Sequence, residues 1–207
     1  MLETVKPAEI EKRSFEIITE LLGDTVLDPV QEPVIKRVIH TTADFSYVES
    51  LTFSQQAVET GIAALKAGCD IVTDTQMARS GINKTILGRL GGHVHCFMSD
   101  PEVAAEAKQR GVTRAMVSME RAAQLDKPCI FAIGNAPTAL ICLHDLIQAG
   151  KLHPALVIGV PVGFVNVVES KEMILRCPVP SIVARGRKGG SNVAAAICNA
   201  LLYQISR

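Results

Sequence analysis

His40 stands where a helical pattern stops. In VIKRVIHTTAD the apolar residues Val34, Ile35, Val38 and Ile39 recur at i, i+1, i+4 and i+5, and Pro33 precedes them as a helix starter. That spacing predicts a helix whose last turn carries His40. The partial negative charge of a helix C-terminus favours imidazolium, so the position predicts a histidine pKa above its ordinary value and a proton donor near neutral pH, with Asp44 adding to the effect. The plainer alternative is a histidine that caps the helix by bonding a free carbonyl. A second chemical signal is ARGRKGGSNVAAA, where Arg185, Arg187 and Lys188 accompany Gly186, Gly189 and Gly190 just before a helical run. Glycines let backbone N–H groups approach a ligand and a helix N-terminus favours negative charge, so the segment predicts a local anion site. Its frame is neither GxGxxG nor a Walker A loop, and a carboxylate-rich ligand fits as well as a nucleotide. Asp74, and Asn135 and Thr138 in GNAPTAL, are candidate polar contacts whose alternative is a turn or cap role. His93 and His95 share one strand face but lack a nearby third ligand, so no metal is predicted.

The elements that must position these residues follow a regular order. PAEIEKRSFEIITELLG predicts an amphipathic helix between Pro7 and Gly23, with Ile10, Ile17, Ile18, Leu21 and Leu22 on one face and Arg13 and Ser14 on its flank. Ser54 is expected to cap a helix that Gly68 ends. Strands are expected at 70–73, 94–98, 129–133, 156–160 and 181–184, separated by helical patterns, with Asp100 as the cap and Pro101 at the first position of one. Short apolar strands alternating with helices predict a mostly parallel sheet of about five strands, covered on both faces, in a single domain spanning 1–207. In such a doubly wound α/β sheet the ligand crevice is expected beyond the carboxyl ends of the strands, where Asp74, GNAPTAL, GVPVGFVNVVESKE and ARGRKGGS all fall. The N-terminal helical segment, about 7–45, is expected to pack on this core.

Composition narrows the partners. Lysines plus arginines and aspartates plus glutamates both number 21, so no global field points to nucleic acid or an anionic membrane. The chain has no tryptophan and two tyrosines, too few for a base-stacking surface. Six scattered cysteines without a CxxC pair, and no apolar run at the start, are the pattern of a reduced, cytoplasmic protein. The most apolar run, 155–168, is interrupted by Gly159, Pro161 and Gly163 and is too short to span a bilayer.

The segments RSFEII, RVIHTTAD, AALKAGCDIVTDTQM, IGNAPTAL, GVPVGFVNVVESKE and RGRKGGS occur in this order over nearly the whole chain, and together they resemble the precorrin-8X methylmutase (precorrin isomerase) family. The resemblance implies a three-layer, flavodoxin-like fold. It also implies an isomerase of cobalamin biosynthesis that moves a methyl group from C-11 to C-12 of a corrin precursor, with no redox change and no bound cofactor. The family histidine matches His40, and the family's substrate-contacting serine matches Ser14. A homodimer with the site at the subunit interface is implied as well. On this reading Arg13, Asp74, Asn135, Thr138, Arg185, Gly189 and Gly190 join Ser14 as substrate contacts, the arginines and glycine amides as local donors for the carboxylate arms of a tetrapyrrole on a neutral protein. A non-catalytic tetrapyrrole- or nucleotide-binding module on the same fold is the alternative. The sequence does not distinguish a cobalt-bearing from a metal-free substrate.

Overall fold

The computed structural model describes residues 5–206. Pro7 opens a 3-10 turn that leads into α1 (Ile10–Leu22), which Gly23 ends with φ +54°. α2 (Glu32–Thr42) carries Pro33 in its first turn and stops at Ala43, whose left-handed backbone lets its N–H bond the Ile39 carbonyl at 2.7 Å. Then come α3 (Tyr47–Ser50), β1 (Leu51–Phe53), α4 (Ala57–Lys66) and β2 (Asp70–Thr73). α5 (Gln76–Gly81), α6 (Lys84–Arg89) and β3 (Val94–His95) follow, and then α7 (Pro101–Arg110), α8 (Arg114–Ala122) and β4 (Cys129–Ile133). The chain closes with α9 (Pro137–Gln148), β5 (Leu156–Gly159), α10 (Val167–Leu175), β6 (Ser181–Ala184) and α11 (Ser191–Ser206).

One sheet runs β1-β6-β5-β4-β2-β3. Its last five strands are parallel, and in chain order they read 2-1-3-4-5, the flavodoxin-like arrangement. Side chains alternate between two apolar layers. Ile71, Ile130, Leu156, Ile158 and Ile182 meet α2, α4 and α11, whereas Val72, Phe131, Ile133, Val157 and Val183 meet α8, α9 and α10. This is the expected α/β three-layer architecture.

Three local expectations are corrected. The sheet has a sixth strand, β1, antiparallel to β6; three residues with two of them only half-buried carry too little alternation to stand out in sequence. The strand expected at 94–98 is two residues long, because the chain turns into a 3-10 segment at Phe97. Ser54 does not cap α4: its hydroxyl accepts from Ser181 N (2.8 Å), tying β1 to β6, and Gln56 enters the helix in the left-handed region instead. Asp100 occupies the N-cap position of α7 without a side-chain cap bond.

Candidate active site

The strand-end crevice is closed from within. Asp74, just beyond β2, has no exposed surface, and its carboxylate accepts from the backbone N–H groups of Gly134 (2.9 Å), Asn135 (2.8 Å) and Ala136 (2.6 Å). Those three donors form the entry to α9, at the switch point between β2 and β4 where a doubly wound sheet would hold a phosphate. Burial pushes the Asp74 pKa up, against the pull of the three N–H donors. A carboxylate of the protein therefore fills the anion nest, and Asp74 organises a loop instead of facing a ligand. Two more of the candidate glycine amides bond within the chain: Gly190 N donates to Val160 O (2.9 Å) and Gly163 N to Arg187 O (3.1 Å). Gly189 is required by contact, since a Cβ there would collide with the Val160 carbonyl. Of the amides expected to line an anion site, those of Gly134, Gly163 and Gly190 are thus bonded within the chain.

The remaining candidates divide between two places. Asn135 is exposed at the strand edge, while the Thr138 hydroxyl accepts from Thr113 Oγ1 at 2.9 Å, which links α9 to the start of α8. Arg185 is exposed, with Nε 3.4 Å from Glu172 Oε1, and the Arg187 guanidinium stands over the exposed Phe164 ring at 6.0 Å. Lys188 reaches away from the sheet to Asp44 Oδ2 (2.6 Å) and Ser46 Oγ (2.9 Å), joining the basic loop to the turn that follows α2. His95, considered above with His93 for a metal, donates through Nε2 to the Asp70 carboxylate (Oδ2, 2.8 Å) at the sheet edge.

Ser14 and His40 come together in an open depression of 270 Å³ between α1 and α2. Ile17, Ile18, Leu21, Ile39, Ala43 and Phe45 complete its walls. Two of these, Ile17 and Leu21, remain exposed on α1, Leu21 by 66%, so the apolar face of that helix is open instead of buried. The Ser14 hydroxyl donates to Ile10 O at 2.9 Å and keeps its oxygen lone pairs for a ligand donor. Arg13 points elsewhere, bridging to Glu16 (3.5 Å) and Glu20 (3.2 Å) on the helix surface.

The electrostatics of His40 reverse the expectation drawn from its helix end. Burial lowers its pKa first, and the nearby Arg37 lowers it further, against a smaller upward pull from Glu11. Its Nδ1 is buried with no hydrogen-bond partner, so the imidazolium would carry an N–H with nowhere to donate. Loss of hydration outweighs the helix terminus and favours the neutral imidazole. Two residues that spacing did not single out create this environment. Phe15 packs against His40, and Arg37 stacks over both Phe15 (4.7 Å) and Tyr203 (4.9 Å) while pairing with Glu11 at 2.8 Å. Phe15 adjoins Ser14 and Arg37 sits three residues before His40, which is the only hint of either in the sequence.

Fold and site define a flavodoxin-like α/β protein whose open site is built by two N-terminal helices, beside a sheet crevice sealed by its own carboxylate. Residues 9–204 match the precorrin-8X methylmutase family, and the chain belongs to that family, whose members are intramolecular isomerases of cobalamin biosynthesis. It is 48% identical to the cobalt-precorrin-8 methylmutase of Salmonella typhimurium, over 97% of this chain and 96% of that one. It is 41% identical to the precorrin-8X methylmutase of Pseudomonas aeruginosa, over 97% and 98%. The solved precorrin-8x methyl mutase of Thermus thermophilus superposes with a TM-score of 0.87 at 41% identity, covering 96% of this chain and 98% of that chain.

Proposed function

We propose that this methylmutase moves a methyl group from C-11 to C-12 of a corrin precursor, and that His40 assists by hydrogen bonding to a ring nitrogen. The observation that carries the assignment of the site is the shared depression in which Ser14 and a neutral His40 lie among apolar side chains. The shift is intramolecular and redox-neutral, so the protein's task is to hold the macrocycle in a reactive shape and to stabilise charge as the carbon–carbon bond migrates. A neutral imidazole supplies a hydrogen-bond donor without a full charge in an apolar wall. Ser14 orients the macrocycle, and Asn135 and Arg185 are exposed donors for carboxylate arms. The cobalt-bearing form is the proposed substrate, supported by the names of the relatives at 48% and 46% identity.

A homodimer is part of this proposal. Pockets that enclose even drug-sized ligands measure roughly 300–1,000 Å³, and a corrin with its arms exceeds the 270 Å³ available in one chain. The exposed apolar residues of α1 provide the surface on which a second copy would complete the enclosure. The cytoplasm is the proposed location, supported by six unpaired, buried cysteines; among the described residues no helix is long and apolar enough to cross a membrane. The deciding experiment is to mix the purified protein with cobalt-bearing and metal-free substrate and follow the visible spectrum, since migration alters the conjugated system. Spectra that shift with neither form would refute the proposed reaction.

A further inference from the structure

Lys171 in α10 has no exposed surface, and its Nζ donates to the carbonyl oxygens of Gly186 and Lys188, both at 2.8 Å. Burying an ammonium is costly unless its protons are accepted, and desolvation draws this one down to about 8. The two acceptors belong to one loop, the basic segment after β6. The carbonyl between them, on Arg187, turns the other way and accepts from Gly163 N at 3.1 Å. Lys188 is therefore gripped by its backbone on the inside. On the outside, its ammonium clasps Asp44 and Ser46, the turn that begins four residues after His40. A continuous set of bonds runs from the interior of α10 to the end of the helix that carries the site histidine.

We infer that Lys171 is a positioning residue for the His40 site, which it serves by fixing the backbone at Gly186 and Lys188 and so setting the Lys188 clasp on the turn after α2. The same pin aims Arg185 and Arg187, which lie on either side of Gly186. A lysine that merely filled space in the core would affect stability without affecting the residue 43–47 turn. The kinetic consequence rests on the proposed role of His40; the structural coupling does not.

The test uses the full-length protein and hydrogen exchange. Lys171→Met keeps the side-chain length and removes the donors. It is expected to speed exchange in the 185–190 loop and also in the 40–50 segment. Lys188→Met leaves Lys171 and its two carbonyls in place and is expected to speed the 40–50 segment by the same factor. With both changes together, the 40–50 segment should exchange no faster than in Lys188→Met alone. Additive effects there, or an unchanged 40–50 segment in Lys188→Met, would overturn the inference, and the second result stands even if Lys171→Met fails to fold. In turnover, both variants should lose up to about 10²-fold, the penalty of displacing a catalytic group by an ångström or so. A wild-type protein inactive on both corrinoids would refute the proposed reaction while leaving the exchange result to decide the coupling.

Discussion

The ring of Phe15 stands edge-on to the imidazole of His40, with centroids 5.3 Å apart and planes inclined by 63°. Phe15 belongs to α1 and His40 to α2, so the contact that docks the two helices also removes water from the histidine. Titration by imidazole NMR should place His40 below the ordinary 6.5. Phe15→Ala, which readmits water, and Arg37→Gln, which removes the neighbouring cation, should each move the midpoint upward. The sign for stability follows. Folded His40 binds its proton less readily than the unfolded chain, so its contribution is fully present above about 6.5 and is lost as pH falls through the lowered midpoint. A wild-type midpoint above 6.5 would contradict this account.

His40→Ala should reduce turnover by about 10²–10³, the usual loss on removing a positioned hydrogen-bond donor. Pigment binding should survive, because the macrocycle and its arms are held by other residues. Since the neutral imidazole is the working form, turnover of the native protein should stay level from neutral to mildly alkaline pH and fall only on the acid side. A decline as pH rises through 6–7 would instead make the imidazolium the donor.

Asp74→Ala should weaken the fold. It strips the acceptor from three backbone N–H groups in a site without solvent exposure, a loss of about 2–4 kcal/mol after partial rescue by water. For a chain of this size that corresponds to a thermal midpoint lowered by roughly 5–15 °C. Calorimetry giving a change below about a degree would show that the nest tolerates an empty centre.

Arg185→Ala should raise KM by about tenfold and leave kcat nearly unchanged, because an arm contact is the same in the ground and transition states. Its exposed pair with Glu172 adds about 0–1 kcal/mol, so the melting temperature should hardly move. Steady-state kinetics with kcat lost and KM intact would assign the loop to the chemical step.

For the proposed dimer, sedimentation at micromolar concentration should give twice the 22.2 kDa chain mass. Leu21→Glu, placing a charge on the open apolar face of α1, should shift the protein to monomer and abolish turnover, with its circular dichroism retained. A native monomer that turns over substrate would remove the partner copy from the site.

Local pattern was enough for much of this molecule. Alternating apolar strands and capped helices announced the parallel sheet, because a strand buried on both faces must be apolar throughout and its crossover must be a helix. Pro33 and the spacing of Val34, Ile35, Val38 and Ile39 placed His40 in the last turn of α2, where the structure also has it. The short edge strand β1 escaped, since its pairing with β6 joins segments about 130 residues apart and leaves little local mark.

The environment of each candidate was decided only by tertiary contacts. A strand-end aspartate reads the same whether it faces a ligand or its own chain; the approach of Gly134, Asn135 and Ala136 made Asp74 internal. A histidine at a helix end reads as a cation until a phenylalanine from another helix packs against it and burial, with the arginine three residues earlier in its own helix, disfavours the proton. Sequence spacing sets which groups share an element and a face, a consequence of backbone geometry. Burial, dielectric and hydrogen-bond partners arise between elements distant in the chain, and those quantities determine what each group does.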